Sequence, residues 1–320
     1  MSKQIHAAIL ITALLACASA ASAQTYPTKP VRIVVAVAPG GGDDYVTRLL
    51  APKLAEFLGQ QFVVENRPGA GGMIGQTFVA KAVPDGYTLL LAGGSMAGAR
   101  YVNASVTYDV LRDFTPISLL ETAQFILVIH PSVPARDVKA YIALLKSTPG
   151  QMTFGTLGPG QIPYWSAIMF NNMAGIRAIE VAYKGFSELT VDLIGGRLDY
   201  HFAPSSMAVA NKAKLRALAS TGTTRMAAFP DLPTMAEAAL PGYDMPAWRS
   251  ILGPAGIPRD VVDMLNKAIV RAIASPDVRE KMIAAGSEPE TSTPDALAKR
   301  YVQWTEIFGR IAQQAGIKPQ

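Results

Sequence analysis

The 320-residue sequence has a single cysteine, Cys17, and only three histidines, His6, His130 and His201. Cys17 falls inside a leader-like segment, so once that segment is removed the chain has no thiol. Thiol catalysis, thiolate metal sites and disulfides are excluded together. No set of His, Asp, Glu and Cys has metal-ligand spacing, and no cofactor is called for. Long apolar runs are also missing beyond the leader, because charges, glycines and prolines interrupt each one. Lysines, arginines and aromatics do not gather into a stripe, which argues against nucleic acid as a partner. The net charge of +5, or +4 without Lys3, is a mild excess scattered along the chain.

What is present starts with an export signature. Lys3 supplies a basic start, Ala7 to Ala16 a short apolar stretch, and Ala21-Ser22-Ala23 a cleavage site that makes 1–23 a signal peptide. The product is expected in the periplasm. Leu14-Leu15-Ala16-Cys17 also resembles a bacterial lipobox, which would instead anchor a lipoprotein at Cys17. The remaining chain is too long for one comfortable core, so two lobes are expected.

Short apolar runs then alternate with helical stretches. Strands are predicted at 31–38, 61–66, 88–92, 125–130, 152–156, 178–181, 200–203 and 215–220, with helices at 44–57, 73–82, 138–147, 162–174 and 186–194. From Arg259 onward the pattern is helix after helix, with Asp277, Pro294 and Asp295 marking starts and Gly286 a stop. This is an α/β chain with mainly parallel sheets flanked by helices. The stretches 118–123 and 246–252 are the places where one lobe hands over to the other. They divide the chain into a discontinuous lobe, 24–121 plus 248–320, and a second lobe, 122–247.

The most informative segment is Val31-Arg32-Ile33-Val34-Val35-Ala36-Val37-Ala38-Pro39-Gly40-Gly41-Gly42-Asp43-Asp44. A β-branched strand empties through three glycines into a helix, turning backbone N–H groups outward where the helix dipole favours anions. A second site class competes at Gly93-Gly94-Ser95-Met96-Ala97, a near miss to the nucleophile elbow of serine hydrolases. Such an enzyme needs a histidine oriented by an acid, and His130 and His201 both fall in the other expected lobe. His130, at a strand end, and His201, in an apolar strand, read as structural.

The motifs also combine in order. Pro39-Gly40-Gly41-Gly42 with Asp44, Val64-Glu65-Asn66-Arg67-Pro68-Gly69-Ala70-Gly71-Gly72 and Pro84-Asp85-Gly86-Tyr87 come first. Tyr108-Asp109, His130-Pro131-Ser132-Val133-Pro134, Tyr183-Lys184-Gly185, Leu232-Pro233-Thr234 and Pro254-Ala255-Gly256 follow. This series resembles the Bug family, the periplasmic substrate-binding proteins of tripartite tricarboxylate transporters, over essentially the whole chain. The resemblance implies a two-lobed periplasmic-binding-protein fold of the Venus flytrap kind, type II-like, closing on a small carboxylate. It implies a monomer that serves membrane transporter subunits, or an orphan sensor or interaction module with no transport role.

The same resemblance assigns ligand contacts to Val37, Pro39, Gly41, Gly42, Asp43 and Ser95 from one lobe. From the other it assigns Gly158, Gly160, Gln161, Tyr164, Lys184, Phe186 and Ala203. Departures are informative. Asp43 stands where relatives carry Ser or Thr, Val37 where they carry Phe, Gln161 replaces a hydroxyl residue, Tyr164 a histidine, and Phe186 a small residue. Asp43 either caps the following helix or faces the ligand, where it would repel carboxylates at about 4 kcal/mol for a 4 Å separation. Tyr164, Trp165 and Phe186 are either core aromatics or a surface for an aromatic or amide-bearing solute. Lys184 either neutralises an acid or serves its turn, and Asn66 and Arg67 fix the glycine-rich loop.

A receptor and a hydrolase separate cleanly at Ser95. The purified protein is expected not to turn over activated esters, and Ser95→Ala to weaken solute binding. Esterase turnover that Ser95→Ala abolishes would overturn the receptor reading.

Overall fold

The computed structural model describes residues 26–320. The expected leader, 1–23, with Lys3 and Cys17 lies outside the described residues. Among the described residues no helix is long and apolar enough to cross a membrane.

Among the described residues eleven strands form two sheets. They are β1 Val31–Val35, β2 Phe62–Asn66, β3 Thr88–Gly93, β4 Phe114–Ala123, β5 Phe125–Ile129, β6 Thr153–Thr156, β7 Ile179–Ala182, β8 Tyr200–Pro204, β9 Arg216–Ser220, β10 Ala247–Pro254 and β11 Glu288–Pro289. The first sheet runs β11-β4-β10-β3-β1-β2 and the second β7-β6-β8-β5-β9. Parallel pairing is confined to β2-β1-β3 and β7-β6-β8, and β5, β10 and β11 run antiparallel to their partners. Both sheets are therefore mixed, which corrects the expectation of mainly parallel ones. The reason is topological: a chain that leaves one sheet and returns lays its two crossing strands side by side in opposite directions.

Those crossing strands are β4 and β10, paired from Ala123↔Ala247 to Phe114↔Pro254. After β4 the chain passes through Gln124 directly into β5 of the second sheet. The passage is pinned by hydrogen bonds. Gln124 is buried, accepts from the Gly222 N–H at 3.2 Å and donates to the Thr224 carbonyl at 3.0 Å. A Cβ at residue 222 would stand 2.5 Å from the Gln124 amide carbon, so only glycine lets this side chain lie flat against the returning loop.

The expected helices are present, the first as Gly42–Leu58, followed by Met73–Ala80, Val138–Ser147, Ile162–Ala174 and Phe186–Ile194. The final run resolves into Arg259–Ala274, Pro276–Ala284 and Pro294–Gln314. Prolines at the first turn of the last two start them where no backbone donor is missed, and Thr293 accepts from the Ala296 N–H at 3.2 Å.

One apolar cluster runs through both sheets. It includes Val34, Leu90 and Leu119 of the first, Leu127, Phe154 and Tyr200 of the second, and Phe308 of the last helix. Trp165, fully buried, meets the Phe308 ring at 4.7 Å. Separate clusters line the outer faces, Ile33, Leu50 and Ile269 on one and Ile126, Leu189 and Leu193 on the other.

His201 lies in β8 with no exposed surface, as its apolar surroundings predict. Its Nδ1 donates to the Gly155 carbonyl at 2.8 Å, and Nε2 is buried without a partner. Burial pulls its pKa from 6.5 down to about 4, against the opposing effect of the Gly155 carbonyl. The unfolded chain takes up this proton at a higher pH than the native protein, so stability is expected to fall as pH drops through the window from 6.5 to about 4. The full contribution is about 3 kcal/mol. Glu180 acts in the opposite sense, because burial raises its carboxyl pKa and the native state gains its proton first. Urea midpoints of the native protein and His201→Phe across this window isolate the histidine. Parallel pH profiles for the two would disprove the assignment.

Candidate functional site

The glycine turn after β1 delivers what its composition predicts, shifted by two residues. Gly41 takes the extended cap position (φ −81, ψ 174) and Gly42 opens the helix Gly42–Leu58. The Gly41 and Gly42 N–H groups find no protein acceptor among the described residues. Asp43 therefore sits inside the first turn, and the helix-cap reading for it is wrong. Asp44 does the fixing instead. It accepts from the Gly40 N–H at 3.0 Å, Arg48 Nε at 2.9 Å and Asn66 Nδ2 at 3.0 Å. The Arg48 bond first, then the Gly40 and Asn66 donors, hold its carboxyl at about 2 against the effect of burial.

Asn66 also donates to the Val37 carbonyl at 3.2 Å, so it fixes the glycine loop as expected. Arg67 does not. It pairs with Glu65 and lies over the Phe78 ring at 3.7 Å.

Asp43 has a partner that the sequence did not reveal. Arg249 Nε on β10 donates to Asp43 Oδ1 at 2.5 Å, and Arg249 Nη1 donates to Glu121 Oε1 on β4. Asp43 and Arg249 are partly exposed, whereas the Glu121 side chain is 2 % exposed. Burial lowers the Arg249 pKa, and the two carboxylates more than reverse this, leaving it raised. Arg249 pairs in register with Gly93, and its Nη2 lies 2.8 Å from where a Cβ on Gly42 would be. Gly42 thus borders the guanidinium. The arrangement carries two acids and one base, so Asp43 is neither a cap nor a free carboxylate.

The second sheet contributes the loop after β6. Thr156 donates to Glu180 Oε1 at 2.5 Å and accepts from the Gly158 N–H at 2.9 Å. Gly158 is consequently not a free donor, a correction to its assigned role. Gly160 (φ +93) brings the loop against the first lobe, where its absent Cβ would lie 3.3 Å from Val102 Cγ2. Gln161 is exposed and precedes the helix Ile162–Ala174 without capping it.

Ser95 and Met96 meet Gly160 and Gln161 around a cavity of about 60 Å³ that Gln76 and Tyr108 also line. Tyr108 donates to Gln76 Oε1 at 2.7 Å, a pair that sequence reasoning missed. Pro39 and Val37 are exposed beyond this cavity's lining, as are Lys184 and Phe186 at the start of the helix Phe186–Ile194. Phe186 lies 6.1 Å from the His201 ring.

Three residues offered for ligand contact are interior. Ala203 has no exposed surface and packs with Ile126 and Val128. Trp165 faces Phe308 rather than solvent, and Tyr164 is 6 % exposed, its ring 5.5 Å from Trp165. Their helix is covered on one side by the second sheet and on another by the helix Pro294–Gln314, which leaves no aromatic stacking surface on it. Burial, with a smaller effect of Glu180, pushes the Tyr164 hydroxyl up to about 12. Among the described residues no group of three or more His, Cys, Asp or Glu is placed to hold a metal ion.

Residues 46–317 match the family described as the tripartite tricarboxylate transporter family receptor. The chain is 33% identical over 305 residues to protein BugT of Bordetella pertussis, covering 94% of each chain. Among solved structures it is similar to R. palustris Rpa4515 with adipate, at TM-score 0.81 and 30% identity, covering 92% of this chain and 100% of that one. It is also similar to MatC from Rhodopseudomonas palustris with bound malate, at TM-score 0.77 and 29% identity, covering 90% and 100%. With this pairing of mixed sheets, the family match over residues 46–317 and the likeness to BugT place the chain in the family of solute-binding receptors of tripartite tricarboxylate transporters, with the Bug proteins.

Proposed function

We propose that the protein captures a small organic acid in the periplasm between lobes 24–121 plus 248–320 and 122–247, and presents it, as a monomer, to membrane transporter subunits. The observation that carries this reading is the meeting of Ser95 with Gly160 and Gln161 around one cavity; the Gly41 and Gly42 N–H groups, without an acceptor among the described residues, are further donors of the same glycine turn. Backbone donors at a helix N-terminus suit one carboxylate, and Ser95 and Gln161 supply neutral hydrogen bonds on the two sides. No step requires a covalent intermediate. Relatives in the family hold adipate and malate by their descriptions, which supports an organic acid here.

The cavity of about 60 Å³ is smaller than ligand sites, which run to roughly 300 Å³ and above. Solute entry therefore requires the lobes to part, and the solute shifts that equilibrium by binding the closed arrangement more tightly.

Charge beside the glycine turn bears on the solute class. Asp43 and Glu121 hold Arg249 between them, so the group carries a net negative charge and disfavours each added carboxylate of a ligand. An acid with one carboxylate and a neutral, amide-bearing remainder fits better than citrate. With Tyr164 and Trp165 interior, Phe186 is the aromatic left to contact a ring.

A thermal-shift panel of mono-, di- and tricarboxylates and carboxyl amides tests this. A cognate acid at 100 times its Kd is expected to stabilise the fold by about 2.7 kcal/mol. Asp43→Ser, which leaves Arg249 paired with Glu121 alone and removes one negative charge, is expected to improve citrate binding by about tenfold, or about 1.4 kcal/mol. Tight citrate binding by the native protein that Asp43→Ser leaves unchanged would refute the charge argument. No response to any acid would refute the capture reading itself.

Arg249→Met is expected to destabilise the protein by about 3–5 kcal/mol, because it strips Glu121 of its partner in the interior. Adding Glu121→Gln to that variant should recover much of the loss in urea unfolding. A lack of recovery would show that Arg249 acts through packing rather than charge.

A further inference from the structure

Three residues behind the second-lobe loop are joined by hydrogen bonds in series. Glu180 stands on β7, the edge strand of its sheet, opposite Phe154 of β6, which places Thr156 two residues on and on the same face. Thr156 has no exposed surface. Its hydroxyl gives its one proton to Glu180 Oε1 at 2.5 Å, which leaves its lone pairs for the Gly158 N–H at 2.9 Å.

Packing does little to hold Gly158. A Cβ there would meet no atom within 4 Å, and its φ of +97 is one of many conformations open to glycine. The bond to Thr156 is therefore its restraint, and the residues that follow depend on it. Gly160 comes against Val102 of the first lobe, and Gln161 lines the cavity with Ser95. The Gln161 carbonyl then accepts from the Trp165 N–H at 3.1 Å, in the first turn of the helix that brings Trp165 to Phe308.

Glu180 is half-buried, and burial raises its carboxyl pKa above 4.5 with only the Thr156 hydroxyl opposing the rise. Two titratable groups lie nearby. Tyr164, on the helix Ile162–Ala174, is raised to about 12 by burial and by Glu180, and His201, bonded to Gly155 on β8, is lowered to about 4. Both are uncharged between pH 4.5 and about 7, so Glu180 is the one of the three whose charge changes there.

We propose that Glu180 is the positioning residue of the loop 157–161: its carboxylate, acting through the Thr156 hydroxyl, fixes Gly158 and with it the face that Gly160 and Gln161 turn to the first lobe, and it relaxes this hold when protonated. An ionised acceptor makes a hydrogen bond roughly twice as strong as a neutral one. A protonated carboxyl is also a donor, and it competes with the Gly158 N–H for the Thr156 oxygen. Acidification therefore loosens the loop. Its effect on solute retention rests on the capture reading, whereas the behaviour of the loop does not.

Residue-resolved amide exchange by NMR, on the purified protein without solute, tests this. From about pH 7 down to 4.5 the protection of the Gly158 N–H is expected to fall by about tenfold, the difference between a charge-assisted and a neutral bond. The Gly40 N–H is the internal control: it is held by Asp44, whose carboxyl sits at about 2, and should keep its protection throughout. Glu180→Gln, neutral at every pH, should give a flat Gly158 profile at the level of the acidified native protein. Thr156→Ser keeps the hydroxyl and should restore the native profile, whereas Thr156→Val should leave Gly158 unprotected at every pH. A flat Gly158 profile in the native protein overturns the proposal without requiring any variant to fold. A decline that persists in Glu180→Gln overturns it too, because another group then titrates, as does a decline of equal size at Gly40, which belongs to the whole fold. Failure of the capture reading shows separately, as no stabilisation by any acid of the thermal-shift panel.

Discussion

The guanidinium of Arg249, clasped by Asp43 and Glu121, is the constraint on which the rest of this structure turns. It joins three elements that are far apart in sequence: the helix after β1, the outgoing crossing strand β4 and the returning strand β10. Glu121 is almost wholly buried, and an ionised carboxylate in such a place persists only when paired. The pair therefore fixes β10 against β4 beside the point where the chain leaves the sheet. It also fixes the charge beside the glycine turn, because the base next to Gly42 is already committed to two acids. Strand register and the charge beside the glycine turn are in this way one property of a single side chain.

Much of this was legible in the sequence, for local reasons. The β-branched run 31–35, the glycines 40–42 and the proline-started helices each fold by rules that act within a few residues. The order of the loop motifs further specified the family and the two lobes. Arg249 and Glu121 escaped notice because they meet through an antiparallel pairing 128 residues apart in sequence, and nothing in their neighbourhoods marks them. Asp43 was misread by two positions: Gly41 accepts the extended cap geometry, which pushes the acid into the helix and toward β10. Tyr164 and Trp165 sit on a motif but inside a helix covered from two sides. Their neighbours in space, and not in sequence, decided that they are interior. Ala203 followed the family's pattern of contacts into a strand whose small side chain here faces Ile126 and Val128.

The helix Pro294–Gln314 belongs in sequence to the first lobe, yet its packing serves both. Asn172 of the second lobe donates to the Ile311 carbonyl at 3.1 Å, and Phe308 sits against Trp165. Gly98 permits this approach. A Cβ there would lie 2.9 Å from both the Phe308 and Trp165 rings, so residue 98 has to be the floor on which two aromatic side chains from different lobes come to rest.

That floor has a kinetic meaning. In the proposed capture cycle, parting the lobes lifts Trp165 off Phe308 and Gly98 and wets a large aromatic surface, which adds to the barrier to opening a term that belongs to the protein and is the same for every cargo. Dwell time then has two parts, one set by the solute's own contacts and one by this seam. A weakly held solute is retained longer than its contacts alone would allow, and a receptor built this way meters release by how fast it opens as well as by how tightly it binds.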